Sequence, residues 1–216
     1  MSELPFANRR AAGRALAKRL LAELPAGESD PLVLGLPRGG VPVAAEVAQA
    51  LQAPLDVMVV RKLGVPGREE FAMGAIASGG ISVLDDALID RLGIDAERLQ
   101  AVIDAEHREL IRREIAYRGE QPYPDLRDRR VILVDDGVAT GASIRAAIQA
   151  VRRLGARELV LAVPVAPADT LRRLTRDVDV AVCVATPDNF RAVGQWYMDF
   201  DQTTDDEVRT CLAKQS

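Results

Sequence analysis

Lysine is almost missing from this chain: Lys18, Lys62 and Lys214 are the only lysines among 28 basic residues. Arginine therefore carries nearly all the positive charge, and its planar fork suits phosphate and carboxylate. Against 32 acidic residues the formal balance is −4, which argues against the clustered basic surface of a nucleic-acid-binding domain. A local basic pocket stays open. Cysteine is scarce too: Cys183 lies in an apolar strand-like run and Cys211 near the end, with neither metal-ligand spacing nor a disulfide framework. A reducing compartment fits that usage. No stretch of about 18 apolar residues occurs, and Met1-Ser2-Glu3-Leu4-Pro5-Phe6 lacks a basic segment followed by an apolar one. A cytoplasmic protein without a membrane partner is expected. Repeats and low-complexity tracts are absent. The single histidine, His107, has no serine or cysteine near it in sequence and receives no role.

What is present is an ordinary globular composition, 48% hydrophobic and 28% charged over 216 residues, which fits one α/β domain. Apolar residues at helical spacing (Leu16, Leu20, Leu21, Leu24) predict an opening helix from Arg9 to Leu24, ended by Pro25-Ala26-Gly27. Leu32 to Leu34 reads as a buried strand, Gly35 to Gly40 as a loop, Val41 to Leu51 as a helix and Asp56 to Val60 as the next strand. Ala72 to Ser78 and Ile81 to Leu84 flank Gly79-Gly80 as a hairpin. A long charged helix runs from Asp95 to about Arg118, where Arg112, Arg113 and Arg118 read best as a solvated face. The second half alternates: strand Val131 to Val134, helix Gly141 to Leu154, strand Leu159 to Val163, helix Asp169 to Leu174, strand Val178 to Val184. Near-continuous apolar strands of this kind predict a mainly parallel sheet with helices on both faces.

One loop carries the chemistry. Val131 to Val134 delivers Asp135 and Asp136 into a turn, Gly137-Val138-Ala139-Thr140-Gly141-Ala142-Ser143, that opens a helix. Paired carboxylates at a strand end suit the vicinal hydroxyls of a sugar and can hold the waters of a magnesium ion. The N–H groups and hydroxyls that follow suit a phosphate at a helix amino terminus. There is no Gly-Lys-Ser/Thr and no Rossmann glycine spacing, so neither a Walker loop nor a dinucleotide fingerprint accounts for it.

The run VILVDDGVATGAS, Val131 to Ser143, resembles the signature of the type I phosphoribosyltransferases. The likeness to the fold covers roughly Asn8 to Phe200. It is similar above all to the bacterial phosphoribosyltransferase-domain proteins with an LPRGG loop and a VDDGVATG loop, from which no acceptor carries over. That resemblance implies a single domain over residues 1–216, with a core at about 8–184. A flap at 62–84, a helical insertion at about 85–118 and a small hood at about 185–216 would complete it. It implies 5-phosphoribosyl-1-pyrophosphate as donor, Mg2+ as cofactor, and Asp135, Asp136, Arg38 and Lys62 as the catalytic set. The 5-phosphate would lie on Gly137 to Ser143, with the metal held at Asp135 and Asp136 through water or ribose hydroxyls. Pyrophosphate would lie on Pro37, Arg38, Gly39, Gly40 and Lys62; alone, that loop reads equally well as a tight strand-to-helix turn. Lys62 would mark a strand end on the same sheet edge. Gly64 to Glu70 would be a mobile lid, with Arg68 entering beside it.

Pro187-Asp188-Asn189-Phe190, Val193-Gly194 and Asp199-Phe200 resemble a purine-type base segment, so Phe190, Trp196 or Tyr197 would stack on a base. Packing in the core is the competing reading for those rings. Several family members carry a further acid where this chain has Ala139, which leaves open the general base and also a regulatory binder without turnover. A helix pair for DNA is not seen, and a homodimer is the default assembly.

Overall fold

The computed structural model describes residues 4–24 and 30–214. The chain runs α1 (Arg9–Glu23), β1 (Pro31–Gly35), α2 (Gly40–Leu51), β2 (Leu55–Val57), β3 (Val60–Val65), β4 (Arg68–Ala77) and β5 (Ile81–Leu84). It continues through α3 (Asp86–Leu92), α4 (Ala96–Arg118), β6 (Arg130–Val134), α5 (Ala142–Arg153), β7 (Glu158–Val165), α6 (Ala168–Leu174), β8 (Val180–Ala185) and α7 (Asp205–Ala213). The expected stop of α1 at Pro25 to Gly27 lies outside the described residues.

Five strands form one parallel sheet in the order β2-β1-β6-β7-β8. Its strands are apolar on both sides because both sides are covered. Val33, Ile132, Val134 and Val160 face α1 and α2, meeting Leu16, Leu20, Val43 and Val47. The alternate residues Leu32, Leu34, Leu133 and Leu161 face α5, meeting Ile144, Ile148 and Val151. From β1 the chain crosses through α2 to β2; from β6 it crosses through α5 to β7, in the opposite direction along the sheet. The carboxyl ends of β1 and β6, which are hydrogen-bonded neighbours, therefore border the crevice where such sheets bind ligands.

A second, antiparallel sheet of order β3-β4-β5 stands beside the first. Its β4–β5 turn uses Gly79 and Gly80 at φ of 80° and 74°, a conformation that disfavours side chains. Helix α4 packs on it through Leu110 and Tyr117, and α7 adds Val208 and Cys211 to the same core.

The structure revises three expectations. The strand expected from Asp56 to Val60 is divided: β2 ends at Val57, and Val60 begins β3 of the other sheet. The buried Met58 and Val59 make the transfer, Met58 N–H bonding to Gly35 O at 3.0 Å and Val59 exchanging bonds with Ser78. Lys62 consequently lies on β3, not at a parallel strand end. Gly64 to Glu70, expected to have few anchors, is largely paired backbone with a register shift on each side of Gly64. A Cβ on Gly64 would sit 2.6 Å from Glu69 O, so glycine is required there. Residues Pro66 to Ala72 are nonetheless exposed, with Pro66 and Arg68 bordering a cleft beside Leu92 to Ile94 and Arg98. Arg118 is not on a solvated face: its side chain is 6% exposed and donates to Asp56 Oδ1 at 2.7 Å. Among the described residues no helix is long and apolar enough to cross a membrane.

Helix α1 lies tightly on α2 because position 13 has no side chain: a Cβ there would be 2.8 Å from Val43 O. Gly13→Val should therefore destabilise the fold by about 1–3 kcal/mol. The midpoint of urea unfolding measures this, and an unchanged midpoint would contradict the close approach.

Candidate active site

Two loops meet at the crevice, and both run into helices that lack a side-chain cap. Helix α2 starts after Gly39 and α5 after Gly141, neither with a capping hydrogen bond. By contrast Asn8, Asp85, Asp95 and Thr204 cap α1, α3, α4 and α7. At α5 the N–H groups of Ala142 and Ser143 are thus open to an anion at the positive end of the helix, whereas at α2 the Gly40 N–H donates to Leu36 O at 3.0 Å, the Val41 N–H to Arg38 O at 3.2 Å, and Pro42 has none. Gly141, at φ 80°, makes the sharp entry into α5. The peptide between Pro37 and Arg38 is cis.

The loops interlock through missing side chains. A Cβ on Gly39 would lie 2.1 Å from Asp136 Oδ2, and one on Gly40 would lie 2.8 Å from the Cα of Asp135. Leu36 N–H donates to Val134 O at 2.9 Å, extending the β1–β6 ladder into the loops. The glycines of the LPRGG segment thus make room for the acids.

The acids have unequal surroundings. Asp135 lines a cleft of about 160 Å³ together with Gly137 to Ile144 and Lys62. Its Oδ1 accepts the Asp136 N–H at 2.9 Å. Burial, reinforced by the neighbouring Asp136 charge, holds the Asp135 carboxyl well above the ordinary range. Burial also raises Asp136, but a hydrogen bond from Arg9 opposes it. Arg9 Nε donates to Asp136 Oδ2 at 2.9 Å, and Tyr197 Oη donates to the Asp136 carbonyl.

Lys62 reaches the cleft from β3, with no ion pair among the described residues; Arg61 beside it is paired with Glu106 at 2.6 Å. Lys62 and Ser143 also border a groove of about 590 Å³ between the flap and α4. Arg38 is partly exposed and lies 3.6 Å from Asp205, the first residue of α7, whose carboxylate accepts the Tyr117 hydroxyl at 2.9 Å. Thr140 and Ser143 are exposed at the rim, as the loop reading expects.

The hood aromatics pack on one another. Tyr197, 6% exposed, is flanked by Phe6 at 5.6 Å and Phe200 at 4.9 Å, so it offers no open ring face. Phe190 and Trp196 are partly buried and 6.0 Å apart. Val193 sits over Gly137, where a Cβ would be 2.6 Å from its Cγ1. Arg9 and Asp205 were not anticipated from the sequence, whereas Val193 lies in the segment read there as base-binding. Only Thr204-x-x-Glu207, a capping box ahead of α7, offered a local signal for the helix that carries Asp205.

The profile of the phosphoribosyl transferase domain family matches residues 6–201. Rv0571c of Mycobacterium tuberculosis (strain H37Rv), provisionally named a phosphoribosyl transferase, is 51% identical over 203 residues, 94% of this chain and 45% of that protein. The counterpart from strain CDC 1551 gives the same values. The chain thus spans about half the length of the curated relatives it matches. The crystal structure of TT1426 from Thermus thermophilus is 43% identical with a TM-score of 0.84, over 98% of this chain and 99% of that one.

The raised carboxyls carry a cost to stability. The folded protein holds the Asp135 proton more tightly than the unfolded chain does, so this stabilising contribution is lost as pH rises above about 4 through the raised folded value. Asp135→Asn keeps an oxygen for the Asp136 N–H but carries no charge. Its melting temperature should match wild type near pH 4 and exceed it by about 2–4 °C per kcal/mol relieved toward neutrality. A variant less stable than wild type at neutral pH would refute this.

Proposed function

This chain belongs to the phosphoribosyl transferase family, of type I, and from that premise we propose that it transfers the phosphoribosyl group of 5-phosphoribosyl-1-pyrophosphate to a nitrogen of a small-molecule acceptor, releasing pyrophosphate. One observation carries the reading: an acid pair, the open amino terminus of α5 and the glycine loop that bears Arg38 converge at the crevice between β1 and β6. Phosphate at that helix, diphosphate at the glycine loop and ribose hydroxyls at the acids account for all three features.

In this reading the loop from Gly137 to Ser143 holds the 5-phosphate through its N–H groups other than that of Val138, which is bonded to Val165 O, with Lys62 beside them. Asp135 and Asp136 accept the ribose hydroxyls. The LPRGG loop receives the diphosphate through Arg38 as its cationic partner, with the positive end of the α2 dipole behind it. Asp205 occupies Arg38 in the free protein, so diphosphate has to compete with that carboxylate. The acceptor nitrogen attacks C1 from the face opposite the diphosphate. The C1–N bond forms as the C1–O bond breaks, the diphosphate keeps the electron pair, and the proton lost by the acceptor nitrogen passes to the departing diphosphate. Preorganised charge and exclusion of water supply most of the rate. Gly64 to Glu70 would serve as the lid, with Arg68 entering beside it; the exposure from Pro66 onward supports this reading.

Among the described residues no three of His, Cys, Asp or Glu form a set that holds a metal alone. The adjacent carboxylates fit a magnesium ion carried in by the diphosphate, with Asp135 and Asp136 meeting its waters. Bound there, the ion would neutralise the donor's charge. The chain's own residues bind phosphate, orient the ribose and shield C1. A cytoplasmic setting, where this donor is made, belongs to the same proposal.

Pyrophosphate release is to be measured with a panel of purine, pyrimidine and related nitrogenous acceptors in the presence of magnesium. Release dependent on one acceptor is expected. Tight donor binding without release for any acceptor would support a regulatory binder instead. Arg38→Ala should weaken pyrophosphate and the donor about tenfold or more, the scale of a charge-assisted bond, and a nucleoside monophosphate far less. Equal losses for all three ligands would contradict the loop assignment.

The lid makes a separate expectation. Hydrogen exchange across Gly64 to Glu70 should slow when magnesium and donor are added, while the β6 strand changes little. Exchange unaltered by ligand would remove the lid.

A further inference from the structure

We propose that Arg9 is a positioning residue for the sugar site: it fixes the Asp136 carboxylate, and through it the acid loop, in the arrangement that reads ribose hydroxyls. The inference rests on the proposed function and goes beyond it, because it makes the first residue of α1 a determinant of sugar recognition.

Arg9 lies 127 positions from Asp136 and is held on three sides. Its Nε donates to Asp136 Oδ2 at 2.9 Å, its Nη1 donates to the Asp201 carbonyl at 2.6 Å, and its guanidinium carbon lies 3.9 Å from the Phe200 ring centroid. The paired side chains are only 12% and 13% exposed, so water competes weakly with this bond. A guanidinium fixed by a carbonyl and a ring loses little freedom in holding a carboxylate.

Asp136 in turn has its Oδ2 and both backbone polar groups committed to neighbours. The Arg9 bond takes Oδ2, Asp135 Oδ1 takes the backbone N–H, and Tyr197 Oη takes the backbone carbonyl. Gly39 closes the remaining side, since a Cβ there would overlap Oδ2 at 2.1 Å. The carboxylate is thus wedged between the LPRGG loop and α1. Among the described residues, Arg9 makes the only ion pair with either acid. Removing it leaves two adjacent, partly buried carboxylates without a direct counter-charge, and they relieve their repulsion by moving apart. The phosphate-cradling turn from Gly137 to Gly141 is anchored apart from Arg9, by the Val138 N–H on Val165 O at 3.0 Å and the Thr170 hydroxyl on Ala139 O at 3.0 Å, and Ala142 and Ser143 open α5, so the two ligand functions are separable.

Three probes dissect this by titration calorimetry at fixed magnesium: inorganic phosphate, which needs only the cradle, and ribose 5-phosphate and 2-deoxyribose 5-phosphate, which differ by one hydroxyl. Wild type should prefer the ribose compound. Arg9→Met keeps the stem against Phe200 and should cut ribose 5-phosphate affinity about tenfold to a hundredfold, the scale of a lost charged bond. It should leave inorganic phosphate nearly unchanged and erase the preference for the ribose compound. Arg9→Lys, which restores the charge, should recover part of that preference. A merely structural arginine would lower all three affinities together, and that result overturns the proposal, as does an unchanged preference. If the Met variant fails to fold, Arg9→Gln is judged by the same criterion. A wild type that binds phosphate without preferring the ribose compound would remove the acid-pair reading of the function and this inference with it. A preference that survives loss of Arg9 removes the inference alone.

Discussion

The site depends on one steric constraint: the carboxyl ends of β1 and β6 must approach closely enough for Gly39 and Gly40 to lie against Asp136 and Asp135. Hydrogen bonding between the strands brings the loops together, and the two missing side chains allow the last step. Any side chain at position 39 would occupy the place of a carboxylate oxygen. The same contact brings the LPRGG loop, the acid pair and the α5 amino terminus onto one crevice, which is what the proposed function requires. A fold in which crossovers leave adjacent strands in opposite directions supplies that crevice without further construction.

Charge is then distributed by the two ends of the described chain. Arg9 at the start of α1 meets Asp136, and Asp205 at the start of α7 meets Arg38. Each partner faces a residue assigned to ligand, one acid and one base, and each comes from an element outside the two loops. The arrangement holds the loops in place before a ligand arrives. In the proposed reading, part of the binding energy is a matter of exchanging one partner for another, most plainly at Arg38, where an anionic ligand would take the place of Asp205.

Local patterns were the legible part of the sequence. The run from Val131 to Ser143 contains its own strand, turn and helix start, and Gly79-Gly80 its own hairpin, so their identity needs no distant information. Long-range contacts were not legible. Arg9 is one of several arginines on its helix, and nothing nearby marks it as the one that meets an acid 127 positions later. Arg118 likewise sits in a charged helix, yet tertiary contact with Asp56 buries it. Met58 and Val59 are apolar whether a strand continues or changes sheets, and only the bonds to Gly35 and Ser78 show the change. Tyr197 could have been a stacking platform or a core residue, and its position between Phe6 and Phe200 decides for the core.

The central claim, that the Asp135–Ser143 loop binds the ribose and phosphate of the donor, is most directly tested by titrating 5-phosphoribosyl-1-pyrophosphate into a variant carrying Asp135→Asn and Asp136→Asn. Both substitutions keep shape and polarity, so the fold should persist, as circular dichroism and the melting temperature would register. The account predicts that donor binding is lost while inorganic phosphate still binds the α5 amino terminus. Donor affinity equal to that of the wild type would contradict it.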